Sequence, residues 1–225
     1  MSVTNKPKIE AYIGSSGSGK GVSINARLRE LKPPRMLIWD PRDEYGKHAP
    51  GYDRLSFLVG AFKHAKGGPV RARYVPGAGV KLDEAFGLVC KLAFEAGGLV
   101  FVAEELSDVT TAGRAPAAWR QVITQGRHKG LHVIGAAQRP ALIDKTFLGN
   151  CTSVRVFSLR YAEDRAAMAK ALDLRKPQAG KGAPTTEDLD ALATVTDERG
   201  TLIRYIERDF STVSPPVAGQ IRLAK

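Results

Sequence analysis

The sequence lacks any long run of apolar residues. Its 225 residues contain no stretch approaching the roughly 18 to 20 apolar positions that a membrane-spanning helix requires. Residues 1–8 are polar and have no apolar segment like that of a signal peptide. We therefore expect no membrane span in the chain and a cytoplasmic location.

Cysteine is also scarce. The chain has only two cysteines, Cys90 and Cys151, which are too few for a disulfide framework and lack the spacing of a metal site. This scarcity argues against a disulfide-stabilised scaffold and against a cysteine-ligated zinc module. We expect both thiols to be buried as small apolar side chains.

Acidic residues are outnumbered by basic ones. The chain has 34 Lys and Arg against 23 Asp and Glu, for a net charge of +11. Such a balance favours long-range attraction to a polyanion such as nucleic acid. A solvated basic surface would explain the same charge, so composition supports a nucleic-acid partner only together with other signals.

The apolar residues form short runs that alternate with segments of helical spacing. The predicted strands are 9–14, 36–40, 70–75, 99–103, 132–136 and 154–159, and the predicted helices are 20–31, 83–96, 117–129 and 162–171. Alternating strands and helices predict crossovers and a parallel sheet. Consecutive apolar residues in strands such as 99–103 predict helices on both faces. We expect an α/β domain with a mainly parallel sheet sandwiched by helices.

The pattern changes after Leu174. Residues 175–184 are rich in Pro, Gly and Lys and predict a loop. A short helix from Thr186 and a hairpin of strands 193–196 and 201–207 follow. We therefore divide the chain into a core, 1–174, and a C-terminal extension, 175–225, that packs on the core or on a neighbouring subunit.

The strongest local motif directly follows the first predicted strand. It reads Gly14-Ser15-Ser16-Gly17-Ser18-Gly19-Lys20 and leads into a helix, the context of a Walker A motif or P-loop. Glycines let backbone N–H groups curl around phosphate oxygens, the helix N-terminus adds a favourable dipole, and the Lys20 ammonium neutralises the β- and γ-phosphates. We expect ATP to bind at this P-loop (residues 14–20) and at Gly21 and Val22.

One position departs from the motif. Gly21 stands where a Ser or Thr hydroxyl normally binds Mg²⁺. Ser23 or Ser18 could supply the missing oxygen, or water could fill the position, because Mg²⁺ usually keeps several waters. The sequence leaves these alternatives open.

Two acids follow the apolar strand 99–103. Glu104 and Glu105 are typical of a Walker B motif, in which the first carboxylate holds Mg²⁺ through water and the second orients or deprotonates the attacking water. We expect Glu104 to hold the metal and Glu105 to be catalytic. The usual first residue is Asp, so Glu104 is a second departure in the expected metal shell.

Four segments in order resemble the FtsK/HerA superfamily of P-loop ATPases. They are the P-loop, residues 38–45 (Ile-Trp-Asp-Pro-Arg-Asp-Glu-Tyr), residues 104–108 (Glu-Glu-Leu-Ser-Asp) and residues 125–140, which close on Gln-Arg-Pro. Gln-Arg-Pro after a strand, behind the other three, is far more specific than a P-loop alone. The resemblance implies a RecA-like core that uses ATP and Mg²⁺ and forms a homo-oligomeric ring, of six or five subunits, to move double-stranded DNA.

The resemblance also implies roles for single residues. Gln138, at the tip of the strand next to the P-loop strand, would hydrogen-bond the γ-phosphate and report hydrolysis. Arg127 would reach the ATP of a neighbouring subunit as an arginine finger, and Arg120, Arg139 and Arg155 compete with it for that role.

Two further groups of residues are candidates. Asp40 and Glu44 either bind at the site, order it or cap a helix, and we do not expect them to be catalytic. Basic residues near the predicted helix end and in the predicted loop are candidates for contact with the DNA backbone: Arg127, His128, Lys129, Arg175, Lys176 and Lys181.

The length of the chain narrows the function within the superfamily. Other such motors usually carry membrane or additional domains, whereas little precedes the first strand here. A bare core of this size resembles the ATPases that package viral genomes into preformed capsids. We expect a capsid or portal vertex as partner, with the protein in the host cytoplasm or on the virion. The alternatives are a HerA-like motor for DNA repair or plasmid transfer, and a nucleotide-binding structural or regulatory protein without turnover.

Overall fold

Ten strands form one sheet in the computed structural model of the protein, which describes residues 6–174 and 182–224. The strands are β1 (Lys8–Ile13), β2 (Arg35–Trp39), β3 (Gly51–Tyr52), β4 (Val70–Tyr74), β5 (Val100–Ala103), β6 (His132–Ala137), β7 (Ser153–Val156), β8 (Thr194–Asp197), β9 (Gly200–Asp209) and β10 (Val217–Leu223). The helices are α1 (Lys20–Leu31), α2 (Leu55–Ala65), α3 (Leu82–Ala96), α4 (Leu106–Val109), α5 (Ala117–Gln125), α6 (Lys145–Asn150), α7 (Ala162–Ala171) and α8 (Thr186–Asp190).

The strand order is β10-β9-β7-β1-β6-β5-β2-β4-β3, and β8 also pairs with β9. The strands from β7 to β3 in this order are all parallel. β9 joins β7 in antiparallel orientation, and β8 and β10 are antiparallel to β9. The predicted fold class is confirmed: a mainly parallel sheet flanked by helices, with an antiparallel C-terminal extension.

The central strands bury side chains on both faces. In β2, Leu37 and Trp39 belong to the apolar cluster under α2, α3 and α5, whereas Met36 and Ile38 belong to a second cluster under α1. Because successive side chains of a strand point to opposite faces, a strand covered on both sides must be apolar at every position. This explains the uninterrupted apolar runs in the sequence.

Most predicted elements are present, with ends shifted by one or two residues. The predicted helices 20–31 and 162–171 coincide with α1 and α7. Two predictions were too long. Helix 117–129 is α-helical only to Gln125 and ends as a 3₁₀ turn, Gly126–Lys129, and strand 154–159 pairs only as far as Val156.

Five elements were not predicted from the sequence: β3, α2, α4, α6 and β10. Three of them have six residues or fewer and carry little periodicity. β10 lies at the edge of the sheet with mostly exposed side chains, so it has no apolar run. Such strands are recognised by their pairing partner, which a local pattern does not contain.

The C-terminal extension continues the sheet of the core. The end of β9 pairs with β7, from Ser153 with Asp209 to Val156 with Ile206, and the predicted hairpin is present as β8 and β9. Residues 175–181 lie outside the described residues, and with them the candidate DNA contacts Arg175, Lys176 and Lys181. The division of the chain at residue 174 stays a prediction.

A partly buried ionic cluster joins α1 to the sheet. Glu10 of β1 accepts hydrogen bonds from Arg27 of α1, with Nη2 to Oε1 at 2.8 Å, and lies 2.7 Å from His132 Nε2 of β6. Tyr12 also donates to Glu10, at 2.9 Å. Burial alone would raise the pKa of Glu10, but the hydrogen bonds from His132 and Arg27 outweigh it and lower the pKa to about 2. The carboxylate is therefore stabilised in its ionised form.

This depressed pKa predicts an acid-sensitive contribution to stability. An unfolded Glu titrates near 4.5, so the stabilisation is complete above about pH 4.5 and is lost as the pH falls toward 2. We expect Glu10→Gln to have a lower Tm than the wild type at pH 7, with the difference narrowing below pH 4.5. Circular dichroism melts across this range measure it, with the exposed Glu95→Gln as control. A difference that is the same at pH 7 and pH 3 would contradict the prediction.

Candidate nucleotide and metal site

The P-loop connects the end of β1 to the start of α1. Gly17 and Gly19 have φ of 73° and 105°, in the left-handed region that glycine tolerates best. The Ser15 amide donates to Ser158 O at 2.9 Å and the Ser18 amide to Ser15 O at 3.2 Å. The loop is thus fixed as a tight turn before a helix whose first amides have no intrahelical acceptor, which is the geometry of an anion site.

Lys20 is held against this turn. Its ammonium donates to Gly14 O at 2.8 Å and Ser15 O at 3.3 Å, and the residue is 8% exposed. Burial lowers the pKa of Lys20, while Glu105, Glu104 and Glu44 act to raise it. The structure therefore brings the predicted phosphate-binding lysine together with three carboxylates.

The two serines considered as replacements for the missing hydroxyl have different surroundings. Ser23 is buried and accepts a hydrogen bond from Arg155 Nη1 at 2.7 Å. Ser18 is also buried, and its hydroxyl oxygen has no hydrogen-bond partner within the described residues. Ser23 is thus engaged on the β7 side of α1, whereas Ser18 has an unused oxygen in the P-loop itself.

Asp40 orders the segment that follows β2. The residue is 1% exposed and accepts from the amides of Glu44 at 2.9 Å and Tyr45 at 3.0 Å. Arg73 of β4 donates to the same carboxylate at 2.9 Å. Asp40 therefore fixes the β2 loop (residues 40–45), the segment whose Asp-Pro and Glu-Tyr the sequence singled out.

Glu104 directly follows β5 and is reached by this loop. The Tyr45 hydroxyl donates to its Oε1, and the Glu104 amide donates to Trp39 O at 3.2 Å. Burial raises the pKa of Glu104 to about 7, although the Tyr45 hydrogen bond and Lys20 act to lower it. The pKa of the buried Glu104 carboxyl therefore lies near neutral pH, and a nearby cation would favour its ionised form.

Glu105 and Gln138 meet across β5 and β6. Gln138 Nε2 donates to Glu105 Oε1 at 2.6 Å. Glu105 has φ 48° and ψ 49°, a left-handed conformation that is uncommon for residues other than glycine and is found at functional sites. The structure therefore joins two residues that the sequence assigned separately, one as catalytic and one as a sensor.

The arginine candidates do not lie together. Arg127 is exposed on the 3₁₀ turn before β6, at the N-terminal end of the parallel strands, whereas the P-loop lies at their C-terminal end. Arg139 pairs with Asp164 at 2.6 Å and Arg155 with Glu207 at 2.7 Å, whereas Arg120 is exposed on α5. Arg127 cannot serve the P-loop of its own chain, so its role in a neighbouring subunit stays a prediction.

The site suits a hard divalent cation only when a nucleotide shares in binding it. Within residues 6–174 and 182–224 no three Asp, Glu, His or Cys side chains are grouped to hold a metal by themselves. Carboxylate oxygens are nevertheless what Mg²⁺ prefers, and in nucleotide enzymes one or two of them act together with phosphates and water. The acids around Lys20 fit that donor set.

The C-terminal extension contacts the P-loop, which the sequence did not indicate. A Cβ built on Gly19 would lie 2.5 Å from Ile203 Cγ2 of β9, and Thr194 of β8 donates to Ser18 O at 3.2 Å. Gly19 must therefore be glycine for packing as well as for conformation. No local signal in the extension marks these contacts, because they depend on the antiparallel pairing of β9 with β7.

Comparisons with known proteins agree with this architecture. Models of known protein families give no match. Protein P9 of Pseudoalteromonas phage PM2 is 31% identical over 166 residues, covering 72% of this chain and 73% of P9. The genome packaging NTPase B204 of Sulfolobus turreted icosahedral virus 2, in complex with ATP-gammaS, superposes with a TM-score of 0.70 at 16% identity, covering 99% of this chain and 100% of B204.

A second structural likeness is more distant. The N-terminal domain of zonular occludens toxin from Neisseria meningitidis has a TM-score of 0.51 at 14% identity, covering 97% of this chain and 95% of that domain. Both structures share the fold with this chain.

None of the helices in the described part of the chain combines the length and apolar character needed to cross a membrane.

The left-handed backbone at Glu105 predicts an unusual order of stability. We expect Glu105→Gly to be more stable than Glu105→Ala by about 1 kcal/mol, because only alanine retains the steric penalty of that conformation. Both variants lack the carboxylate, so the comparison isolates the backbone. Urea unfolding measures the difference. If the alanine variant is the more stable, as at an ordinary helical position, the backbone assignment is wrong.

Proposed function

We propose that this chain, which belongs to one family with protein P9 of phage PM2, is a P-loop ATPase of the FtsK/HerA superfamily. In this proposal it is an ATP-driven motor that packages double-stranded DNA into a viral capsid. The observation that carries the proposal is the meeting of Lys20, Glu104 and the Glu105–Gln138 pair at one edge of the sheet. These are the groups needed to bind a triphosphate and to activate water beside it.

The residues divide the chemistry of ATP hydrolysis among them. The P-loop amides and Lys20 bind the phosphates, which requires Lys20 to exchange the carbonyl oxygens of Gly14 and Ser15 for phosphate oxygens. Mg²⁺ bound with ATP would neutralise charge that develops on the phosphates. Glu105 orients the attacking water and accepts its proton.

Gln138 is placed to report the state of the nucleotide. Its amide already donates to Glu105 at 2.6 Å, and a γ-phosphate would compete for the same donor. Loss of that phosphate returns the amide to Glu105. This exchange of partners moves the Gln138 side chain, which directly follows β6, the strand that pairs with β1.

The DNA-moving part of the proposal is supported by charge and by the fold. The chain carries a net charge of +11, which favours contacts with phosphate backbones without reading bases. B204, described as the DNA-packaging ATPase of Sulfolobus turreted icosahedral virus, shares the fold. We therefore propose a homo-oligomeric ring of six or five subunits at a capsid or portal vertex, in the host cytoplasm or on the virion.

One observation favours a second candidate function. Gly21 and Glu104 both depart from the residues usual at a metal-dependent P-loop site. A protein that binds ATP at such a site without turnover would be a nucleotide-regulated structural protein. Measurement of phosphate release separates the two.

The packaging proposal predicts DNA-stimulated ATP hydrolysis that depends on named residues. Phosphate release is measured with and without long double-stranded DNA. We expect Lys20→Ala to abolish binding and Glu105→Gln to slow hydrolysis by roughly 10²- to 10⁴-fold, the range of general-base catalysis, with ATP binding retained. The exposed residues of α3 provide matched controls, Lys91→Ala and Glu95→Gln. Tight ATP binding by the wild type without phosphate release would instead identify the nucleotide-regulated protein.

The ring proposal predicts complementation between inactive subunits. If Arg127 completes a neighbour's site, Arg127→Ala lowers hydrolysis by about 10³-fold or more. Mixing Arg127→Ala with Lys20→Ala subunits then restores activity, because an intact P-loop meets an intact Arg127 at some interfaces. Arg29→Ala, exposed in the last turn of α1 and not a candidate for the finger, is the control. A fully active Arg127→Ala, or a mixture without recovery, would assign the finger elsewhere.

A further inference from the structure

The space beside Gly21 is faced by a carboxylate. A Cβ built on Gly21 would lie 3.8 Å from Glu44 Oε2, and that oxygen is the one heavy atom of the described residues within 4 Å outside the helix and the neighbouring residues. A Ser or Thr at this position would carry its hydroxyl toward the same region. The missing oxygen of the P-loop motif therefore has a counterpart on the β2 loop.

The β2 loop and the segment after it are fixed next to α1. Asp40 accepts from the Glu44 amide at 2.9 Å. His48 lies 2.7 Å from Asn25 Oδ1, and Asn25 in turn donates to Gly21 O at 2.7 Å. These contacts hold the backbone of Glu44 in place against the first turn of α1.

The side chain of Glu44 is left unengaged by these contacts. It is exposed and, among the described residues, has no hydrogen-bond or ion-pair partner. Its neighbour Tyr45 is turned inward and donates to Glu104. Consecutive residues of one loop thus present a carboxylate beside Gly21 and hold the buried carboxylate of Glu104.

The charge around Lys20 requires a further cation when nucleotide is bound. Glu105, Glu104 and Glu44 all act electrostatically on Lys20, so three acids already oppose one ammonium before a polyanionic triphosphate arrives. Like charges brought this close are unfavourable. A divalent cation between carboxylate and phosphate oxygens resolves the repulsion, and carboxylates bind Mg²⁺ directly in nucleotide sites.

We propose that Glu44 takes the place of the absent P-loop hydroxyl and binds the divalent cation that accompanies ATP. The inference rests on the proposed function, because it assumes that ATP binds at Lys20. Gly21 and Glu104, which depart from the Walker A and Walker B motifs, then belong to one rearranged metal shell. In it, Glu44 from the β2 loop replaces the usual hydroxyl and Glu104 after β5 replaces the usual aspartate.

The test separates metal binding from nucleotide binding. A fluorescent, non-hydrolysable ATP analogue is titrated against the full chain in EDTA and at increasing Mg²⁺, and Mn²⁺ binding to the complex is followed by electron paramagnetic resonance. For Glu44→Gln we expect the Mg²⁺ concentration that gives half of the maximal change in nucleotide affinity to rise about tenfold or more. The affinity for the nucleotide in EDTA should be unchanged or tighter. Glu95→Gln is the matched control on α3.

A rescue variant makes the test specific. Gly21 has room for a side chain, since the nearest outside atom to a Cβ at this position is 3.8 Å away and belongs to Glu44 itself. We expect Gly21→Ser combined with Glu44→Ala to recover much of the Mg²⁺ response that Glu44→Ala alone loses. Recovery by a hydroxyl at position 21 is not expected from a general change in folding or charge.

The outcomes distinguish the inference from the proposed function. If the wild type binds nucleotide with Mg²⁺ dependence and Glu44→Gln keeps the same dependence, Glu44 is not a ligand and the inference is overturned alone. If Glu44→Gln tightens binding equally in EDTA and in Mg²⁺, Glu44 only repels phosphate, which also overturns it. If the wild type binds no nucleotide under either condition, the proposed function itself fails.

Discussion

The parallel pairing of β1, β6, β5 and β2 places the C-terminal ends of these four strands side by side, at one end of the sheet (called this edge below). Ile13 pairs with Ala137, and Ala103 pairs with both Gly135 and Trp39. The residue or loop that follows each strand is therefore brought to that edge: the P-loop, Gln138, Glu104 and Asp40. Without this register these groups would not be within reach of one another, since they come from segments far apart in the chain.

At that end of the sheet, the β2 loop fixes the positions of several residues of the site. Asp40 is buried and bridges Arg73 to the amides of Glu44 and Tyr45. A buried carboxylate is costly unless its oxygens are satisfied, so the loop conformation that satisfies Asp40 is strongly preferred. Tyr45 then positions Glu104, whose side chain is one methylene longer than the usual aspartate. The Asp-Pro and Glu-Tyr pattern is thus explained by the hydrogen bonds that fix this loop and hold the Glu104 carboxyl.

The sequence singled out the residues at this end of the sheet, but not the contacts between them. The P-loop, Glu104 and Glu105 were singled out because they follow apolar strands and have specific residue types, whereas Gln138 was singled out by the family resemblance. The contact between Glu105 and Gln138, and the approach of Glu44 to Gly21, depend on strand order and on the path of a loop. Neither leaves a periodic signal, so a local pattern could not reveal them.

The same limit applies to the fold. Helices with a buried face, such as α1 and α3, were predicted within a residue or two, since burial of one face imposes the helical period. β10 was missed because its side chains are mostly exposed and its stability comes from the backbone of β9. The length of helix Ala117–Gln125 was overestimated because the residues that follow it continue as a helical turn of the 3₁₀ type.

The contacts of the C-terminal strands make them part of the nucleotide site. Ile203 packs on Gly19 and Thr194 binds Ser18 O, while Arg155 bridges Ser23 of α1 to Glu207 of β9 and stacks 4.3 Å from the Tyr205 ring. A P-loop and the first turn of its helix cannot move on nucleotide exchange without acting on these side chains. The extension therefore packs against the P-loop and α1 from the β7 side of β1, whereas Gln138 follows β6 on the other side.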